Sequence, residues 1–277
     1  MNCKKTIVFL FTIFIFSNLL KSQNIYDSTN TLNYAKFLYS SHEYKLASEE
    51  FDRLLFITKN NNDTLKYFSV KAKRLSGNID EAYSKIITFY PNDVFNSNLL
   101  STEYIKILIN KKDYSFANSE IPKLKTLDSN EKVFFMATTE LLLGNYDKGR
   151  AIINNNINNL YLEPFKPILL EQSKIRRKNP YLASGLSVII PGLGQTYSGN
   201  WKDGIFAFII SGSSIFQTYR NFSKYGTSNA YSWITSAIAA AFYTANIYGA
   251  AKASNKYNYL KNIKISIQIE TVFNNHF

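Results

Sequence analysis

The sequence predicts an all-α protein in which a helix-turn-helix repeat array precedes a transmembrane helical hairpin and a short C-terminal strand. Three observations predict this fold. Similar segments recur about every 34 residues in the first half, two long uncharged apolar runs follow, and four isoleucines alternate with polar residues near the C-terminus. Repeated helix pairs, spanning helices and strands each have their own spacing of apolar residues, so each observation favours one kind of element.

Length and composition exclude several classes of protein. The chain has 277 residues, of which 45% are hydrophobic and 16% aromatic. That content supplies a core and excludes wholesale disorder. Because Cys3 is the single cysteine, neither an intrachain disulfide nor a cysteine-based zinc site can form. No group of His, Cys, Asp and Glu has catalytic spacing, so the sequence predicts no enzyme, no metal and no cofactor.

The positive charge is concentrated in the C-terminal third. The net charge is +12, yet residues 23–160 hold 17 basic and 16 acidic side chains, whereas residues 161–277 hold 12 basic and 4 acidic ones. The basic excess therefore accompanies the most apolar part of the chain, where basic side chains usually meet anionic lipid headgroups. Binding of nucleic acid is not expected, because the balanced region has no basic face with interleaved aromatics.

Residues 1–23 have the order of a secretory signal peptide. Lys4 and Lys5 precede the apolar run 6–16, and a mixed stretch that contains Ser22 follows. The run is shorter than the roughly 20 apolar residues that a spanning helix needs. We therefore expect the residues after 23 to be exported. An uncleaved N-terminal anchor is the alternative.

Residues 28–160 contain four similar segments, each with a polar turn, a small residue and then an apolar residue. The segments are 42–55, 77–87, 111–124 and 144–153. Their small residues are Ala47, Ala82, Ala117 and Gly149, with spacings of 35, 35 and 32. A further stretch of helical periodicity precedes each turn, so each unit is predicted to be a pair of helices that must stack on its neighbour. An irregular helical bundle is the alternative.

This period resembles that of the tetratricopeptide repeat. The first unit matches best, with Tyr34, Ala35, Leu38, Tyr44, Ala47, Phe51 and Leu54 in pattern. The later units depart from it, and the proline that closes a unit has a counterpart only in Pro91. The resemblance implies a superhelix whose groove binds a protein partner. Tyr34, Tyr67 and Tyr104 are the candidate partner-binding residues.

A capping helix with a basic linker is predicted for residues 161–180, and a membrane module for 181–258. The run 230–251 has 22 residues and no charge, and 204–219 is a shorter uncharged run. Aromatic residues stand at their ends and small residues along one face, as in paired membrane helices. The run 182–190 is too short to span and fits an interfacial or re-entrant segment. A buried hairpin in a soluble domain is the alternative.

A glycine-containing motif precedes the hairpin. Its residues are Pro191, Gly192, Gly194, Gln195 and Tyr197. It is not a phosphate loop, because no strand precedes it and no Gly-Lys-Ser/Thr follows. Together with residues 246–258, it resembles a signature of small two-helix membrane domains in bacterial envelope proteins. The resemblance implies a membrane location and no particular activity.

The tail, residues 259–277, carries Ile263, Ile265, Ile267 and Ile269 in alternation with polar residues. This is the period of a half-buried strand. A lone strand leaves both edges unpaired, so we expect it to pair with a partner or with a second copy of the chain.

These observations together predict a non-enzymatic scaffold or adaptor. It would be anchored in the cell membrane or outer membrane of a bacterial envelope, with the repeat domain outside the cytoplasm, and would bind an envelope protein or peptide. The competing prediction is an accessory subunit of a membrane transport or assembly system, in which residues 183–251 are the active part. Lipid is an expected partner in both cases.

Overall fold

The structure, a computed structural model, describes residues 27–59 and 62–276. Within these ranges it contains 14 α-helices and no strand, consistent with an all-α fold and a repeat array. The predicted signal peptide and Cys3 lie outside the described residues. The chain divides into two compact units with the boundary between residues 139 and 140.

The helices follow one another with short connections. The first unit contains α1 (Ser28–Ser40), α2 (Tyr44–Thr58), α3 (Asp63–Leu75), α4 (Ile79–Phe89), α5 (Asp93–Asn96), α6 (Asn98–Asn110), α7 (Tyr114–Glu120) and most of α8 (Ser129–Leu142). The second contains α9 (Tyr146–Asn155), α10 (Phe165–Ser173), α11 (Pro180–Ile189), α12 (Leu193–Tyr197), α13 (Trp201–Tyr225) and α14 (Ala230–His276).

Four turns between helices repeat one backbone geometry. Each turn has one residue with a left-handed φ: His42 at 64°, Gly77 at 86°, Lys112 at 61° and Gly144 at 80°. Each of these residues lies five positions before one of the small residues that mark the sequence repeat. A left-handed residue ends one helix and lets the next begin two residues later. The period in the sequence is therefore also a period in the backbone.

The four small residues are buried, as close approach of the helices requires. Ala47, Ala82 and Ala117 are fully buried, and Gly149 is buried too. Ala47 lies in a cluster with Ala35, Leu38, Phe51 and Ala72. A small side chain at the point of contact lets two helices approach, and the larger neighbours fill the groove beside it.

Helix α6 is enclosed by the rest of the first unit. Every residue from Leu100 to Ile109 is buried, which is typical of a helix with neighbours on all sides. Two of these residues are charged, Glu103 and Lys106. An unpaired buried charge is costly, so charged residues at such positions need partners inside the fold or a shifted pKa.

The tail is helical, so the predicted C-terminal strand is wrong. Helix α14 continues to His276 and buries Ile265, Ile269 and Phe273. Each of these residues lies four positions after the one before it, which is a helical spacing. The same stretch also has the alternation of isoleucine with polar residues that predicted a strand. A helix also satisfies its backbone groups internally, whereas a lone strand leaves both edges unpaired. Glu171 of α10 accepts a hydrogen bond from Gln268 Nε2 at 2.8 Å and fixes this helix locally.

The predicted transmembrane hairpin is also wrong. Among the described residues, no helix combines the length and the apolar character needed to cross a membrane. In α13 the uncharged run is only 16 residues long, bounded by Asp203 and Arg220. The uncharged run in α14 is longer, but serine, threonine, asparagine and tyrosine lower its mean hydropathy.

Replacement of Ala47 by tryptophan should overpack the first unit. Ala47 is fully buried, so the larger ring must displace Phe51 or Leu38 at a cost of about 1–3 kcal/mol. We expect a lower midpoint of thermal unfolding by circular dichroism. Lys45→Trp, on the exposed face of the same helix, is the control and should change the free energy of unfolding by no more than about 0.5 kcal/mol. Equal midpoints for the two variants would contradict the helix packing described.

Candidate functional site

The glycine motif forms the centre of the second unit. Gly192, Gly194 and Gln195 are buried, and Tyr197 is partly buried. A Cβ atom built on Gly194 would lie 2.7 Å from the carbonyl carbon of Ala183 and 2.6 Å from Cβ of Ala250. A glycine is therefore required where α12 meets α11 and α14, because any side chain would push the two helices apart.

Gly192 is required for a second reason. Its φ is 88°, in the left-handed region that glycine adopts without strain. A Cβ atom there would also lie 2.8 Å from the carbonyl carbon of Gly204. This close approach sets the path of the chain from α12 into α13.

Three polar side chains at the same point satisfy one another. Gln195 Nε2 donates to the carbonyl and to Oδ1 of Asn246, both at 3.0 Å. Gln195 Oε1 accepts from Ser187 Oγ at 3.0 Å, and Asn246 Nδ2 donates to the Ser187 carbonyl at 3.2 Å. The backbone N–H groups of Gly192 and Gly194 donate to Asn246 Oδ1 and Ser187 Oγ. Because these donors and acceptors are paired, the network holds the helices together and offers little to a ligand.

The second sequence string, residues 246–258, packs against the first. Beyond Asn246, the hydroxyl groups of Ser198 and Ser254 lie 2.6 Å apart. Asn258 Oδ1 accepts from the N–H of Lys178 at 2.9 Å, and its Nδ2 donates to the Lys178 carbonyl at 2.8 Å. The glycine motif and residues 246–258, on which the resemblance to envelope domains rests, thus pack in the same core.

The α13–α14 pair has an inverted distribution of polarity. Up to Ser254, its buried residues are small or polar: Gly204, Ser211, Asn221, Ser232, Ala239, Asn246, Ala250, Ala253 and Ser254. Its exposed residues include Ile205, Phe206, Phe208, Ile209, Ile210, Ile215, Phe216, Trp233, Ile234, Ile238 and Phe242. Isolated exposed apolar residues are common, but a contiguous apolar surface of this kind marks a binding surface.

Hydrogen bonds between the two helices explain why the polar residues face inward. Thr218 Oγ1 donates to the Thr235 carbonyl at 3.0 Å, and Asn221 Nδ2 donates to Thr235 Oγ1 at 3.2 Å. Ser232 Oγ donates to the Asn221 carbonyl at 3.3 Å. The pair is therefore joined by polar contacts on the inside, and its large apolar side chains remain outside.

The first unit contains a buried charged network around α6. Glu103 is fully buried and pairs with the guanidinium of Arg74. Lys66, 4% exposed, pairs with Asp93 at 2.6 Å. Burial lowers the pKa of Lys106 from 10.5 to about 8, an effect that Glu103 opposes and Arg74 reinforces. Sequence analysis missed this network, although charged residues within an otherwise apolar helical stretch were its visible signal.

The three candidate tyrosines occupy different environments. Tyr34 is about half exposed. Tyr67 is partly exposed, and its hydroxyl accepts from Lys71 Nζ at 3.0 Å. Tyr104 is buried and stacks on Tyr83 with ring centroids 6.4 Å apart, and its burial raises its pKa. The structure does not bring the three rings together, and their role in partner binding stays a prediction.

A cavity of 530 Å³ lies between α1, α2 and α3. Its walls are Leu32, Lys36, Tyr39, Phe51, Asn62, Thr64, Leu65 and Phe68. The volume is in the range that small ligands occupy. Sequence analysis did not predict it, because the space between three helices depends on their packing and leaves no pattern in the sequence.

No group of three or more potential metal ligands occurs among residues 27–59 and 62–276.

Comparison with known proteins finds no matching family model, no matching curated protein and no matching solved structure. The resemblances stated from the sequence therefore stay predictions.

Gly194→Ala should disrupt the second unit. The added methyl group would meet the Ala183 backbone and Ala250 Cβ at distances that no side-chain rotation relieves. Gly185→Ala is the matched control, because nothing lies within 4 Å of its Cβ position. Alanine there should stabilise α11 by up to about 1 kcal/mol. Chemical denaturation would measure both effects, and a Gly194→Ala variant as stable as wild type would refute the close packing.

Lys106→Met should change how stability depends on pH. The pKa of Lys106 is about 8 in the folded state and 10.5 ordinarily, so the unfolded chain binds more protons between these values. Its contribution to wild-type stability should therefore increase as pH rises from about 8 to about 10.5. The advantage of Lys106→Met over wild type should shrink over the same range in urea titrations. Lys45→Met, at an exposed position, should show no such trend, and a constant difference for Lys106→Met would contradict the lowered pKa.

Proposed function

We propose that this protein is a non-enzymatic adaptor of the cell envelope. Its second unit would associate with lipid through the outer surface of α13 and α14, and its first unit would bind a protein partner. The observation that carries the proposal is the inverted polarity of the α13–α14 pair. The proposal includes export to the envelope because residues 1–23 have the pattern of a signal peptide.

Lipid fits the apolar surface better than a single protein face does. At 100° per residue, the exposed side chains of Phe208, Ile205 and Ile210 together cover an arc of about 200° around the helix. A helix that packs on one partner needs an apolar stripe of only about 100°. Acyl chains can contact many directions at once, so they match a surface that extends around much of the helix.

The interior of the pair supports the same environment. In lipid, large apolar side chains gain nothing from packing on each other, and helices associate through small residues and hydrogen bonds. Ser211, Asn221, Ser232 and Ala239 supply such contacts here. Association at the lipid boundary requires this surface but no helix that crosses the bilayer.

Aromatic residues at the ends of the two helices favour the same boundary. Trp201 begins α13, Tyr225 ends it, and Tyr231 and Trp233 lie in the first turn of α14, all of them exposed. Rings with one apolar body and one polar edge accumulate where acyl chains meet headgroups. Trp233 Nε1 donates to the Thr227 carbonyl at 2.8 Å, which fixes one ring beside the turn.

The first unit is suited to binding a protein. Stacked helix pairs present an extended surface, and the repeated turns show that its pairs follow one geometry. Tyr34 provides an exposed aromatic group, and the partly exposed Tyr67 and Lys71 provide an aromatic ring paired with a cation. This half of the proposal rests on the resemblance to tetratricopeptide repeats as well as on the turns.

Flotation of the full chain with phosphatidylcholine vesicles tests the lipid half. We expect wild type to float with the vesicles. Phe206→Asp with Phe216→Asp, both at exposed positions of α13, should weaken binding by at least about tenfold, since each buried phenylalanine contributes about 1.5–3 kcal/mol. Phe56→Asp with Phe89→Asp alters two exposed phenylalanines of the first unit and should have no effect. Wild type that remains at the bottom of the gradient would refute the proposal.

A further inference from the structure

Basic residues of the second unit gather where residues 174–178 pack against α14. We call this group the basic collar; it consists of Lys174, Arg176, Arg177 and Lys178. The contact between the collar and α14 is direct. The backbone of Lys178 is held by Asn258, and Lys178 Nζ lies 5.8 Å from the ring centroid of Tyr257, the residue after Lys256.

The collar has no acidic counterpart in the described part of the chain. None of its four cations forms an ion pair there, and all except Lys178 are exposed. Glu171, the acidic residue that precedes the segment, is engaged by Lys264 at 2.6 Å and by Gln268. The hydrogen bond from Lys264 is the main reason why the pKa of Glu171 is lowered.

Several cations of the first unit, in contrast, form ion pairs with carboxylates. Lys66 pairs with Asp93, Lys85 with Asp52 and Lys111 with Asp80. The collar differs from these residues because its four cations are close together in the chain and none of them has such a partner in the described residues. Four neighbouring cations repel one another, so a counter-charge from outside the chain would stabilise this arrangement.

The collar is held in place by the fold. Residues 175–179 have no helical structure, yet Asn258 bonds both backbone groups of Lys178. The N–H of Asn179 donates to the Tyr197 hydroxyl at 3.3 Å, and Lys178 Nζ lies 4.6 Å from the centroid of that ring. Because the segment is fixed before any ligand arrives, binding costs less conformational entropy.

The collar also borders the apolar surface. Tyr257 and Asn258, which contact the collar, lie six and seven residues beyond the uncharged run 230–251 of α14. On the other side, α11 begins at Pro180, two residues after the basic segment ends, and its first turn carries the exposed Tyr181 and Leu182. A ligand that fits both features has an apolar body and an anionic head.

We propose that the basic collar binds the phosphate groups of anionic phospholipids. The inference rests on the proposed association with lipid and adds the headgroup class and the residues that select it. Guanidinium and ammonium groups form strong, charge-assisted hydrogen bonds to phosphate oxygens. A zwitterionic headgroup carries its own cation, so it compensates the collar poorly, whereas phosphatidylglycerol brings a net negative charge.

The test compares binding of the full chain to two kinds of vesicle at one salt concentration. One kind is phosphatidylcholine alone, and the other is phosphatidylcholine mixed with phosphatidylglycerol. We expect tighter binding of wild type to the mixed vesicles. Replacing Lys174, Arg176 and Arg177 by glutamine should weaken that binding about a hundredfold, at about fivefold for each charge, and leave binding to phosphatidylcholine unchanged.

A matched triple variant separates the site from net charge. Lys36, Lys45 and Lys125 are exposed cations of the first unit without an ion pair among the described residues. Their replacement by glutamine lowers the net charge by the same amount and should change binding to the mixed vesicles little. An equal loss in both triple variants would overturn the collar as a site.

Asn258→Ala tests the geometry with every charge in place. It removes both bonds to the Lys178 backbone, so we expect a loss of several-fold on the mixed vesicles only. An unchanged affinity would overturn the prearranged site. Release of wild type by soluble glycerol phosphate would show that free phosphate suffices and would overturn the lipid assignment.

The outcomes also distinguish this inference from the function on which it rests. Equal binding of wild type to both kinds of vesicle would overturn the collar and leave the association with lipid standing. Absence of binding to either kind would overturn both.

Discussion

The second unit depends on the close approach of α11, α12 and α14 at Gly194. There is no room for a side chain between Ala183 and Ala250, and the approach brings Gln195 within hydrogen-bonding distance of Asn246 and Ser187. Each amide then has a partner inside the core. Where these three helices meet, the interior therefore consists of small and polar residues, and large apolar side chains of α13 and of the first part of α14 lie on the outer surface.

The two units differ in whether their buried polar groups are charged or neutral. In the first unit, charged residues lie within an apolar core and are stabilised in pairs, such as Arg74 with Glu103. In the second, a network of neutral amides and hydroxyls lies where α11, α12 and α14 meet. A neutral network has a smaller desolvation cost than an ion pair, so it suits helices whose outer surface is apolar.

Sequence reasoning succeeded where a local rule determines the structure. The small residues Ala47, Ala82 and Ala117 were recognisable because a helix contact tolerates little else, and each is buried. It failed in the tail, where the spacing of Ile265 and Ile269 fits both a strand and a helix and contacts with Glu171 favour the helix. The partnership of Gln195 with Asn246 joins residues 51 positions apart, and no periodicity indicates such a pair.

Helix α14 has 47 residues and is therefore about 70 Å long. The basic collar meets it near the middle, at Tyr257 and Asn258, and the part beyond the collar extends for about 30 Å. If phosphate groups bind at the collar, the helix continues past them for this length, and the Lys264–Glu171 contact keeps α10 against it. The position of α10 along the helix is therefore set relative to the bound phosphate groups.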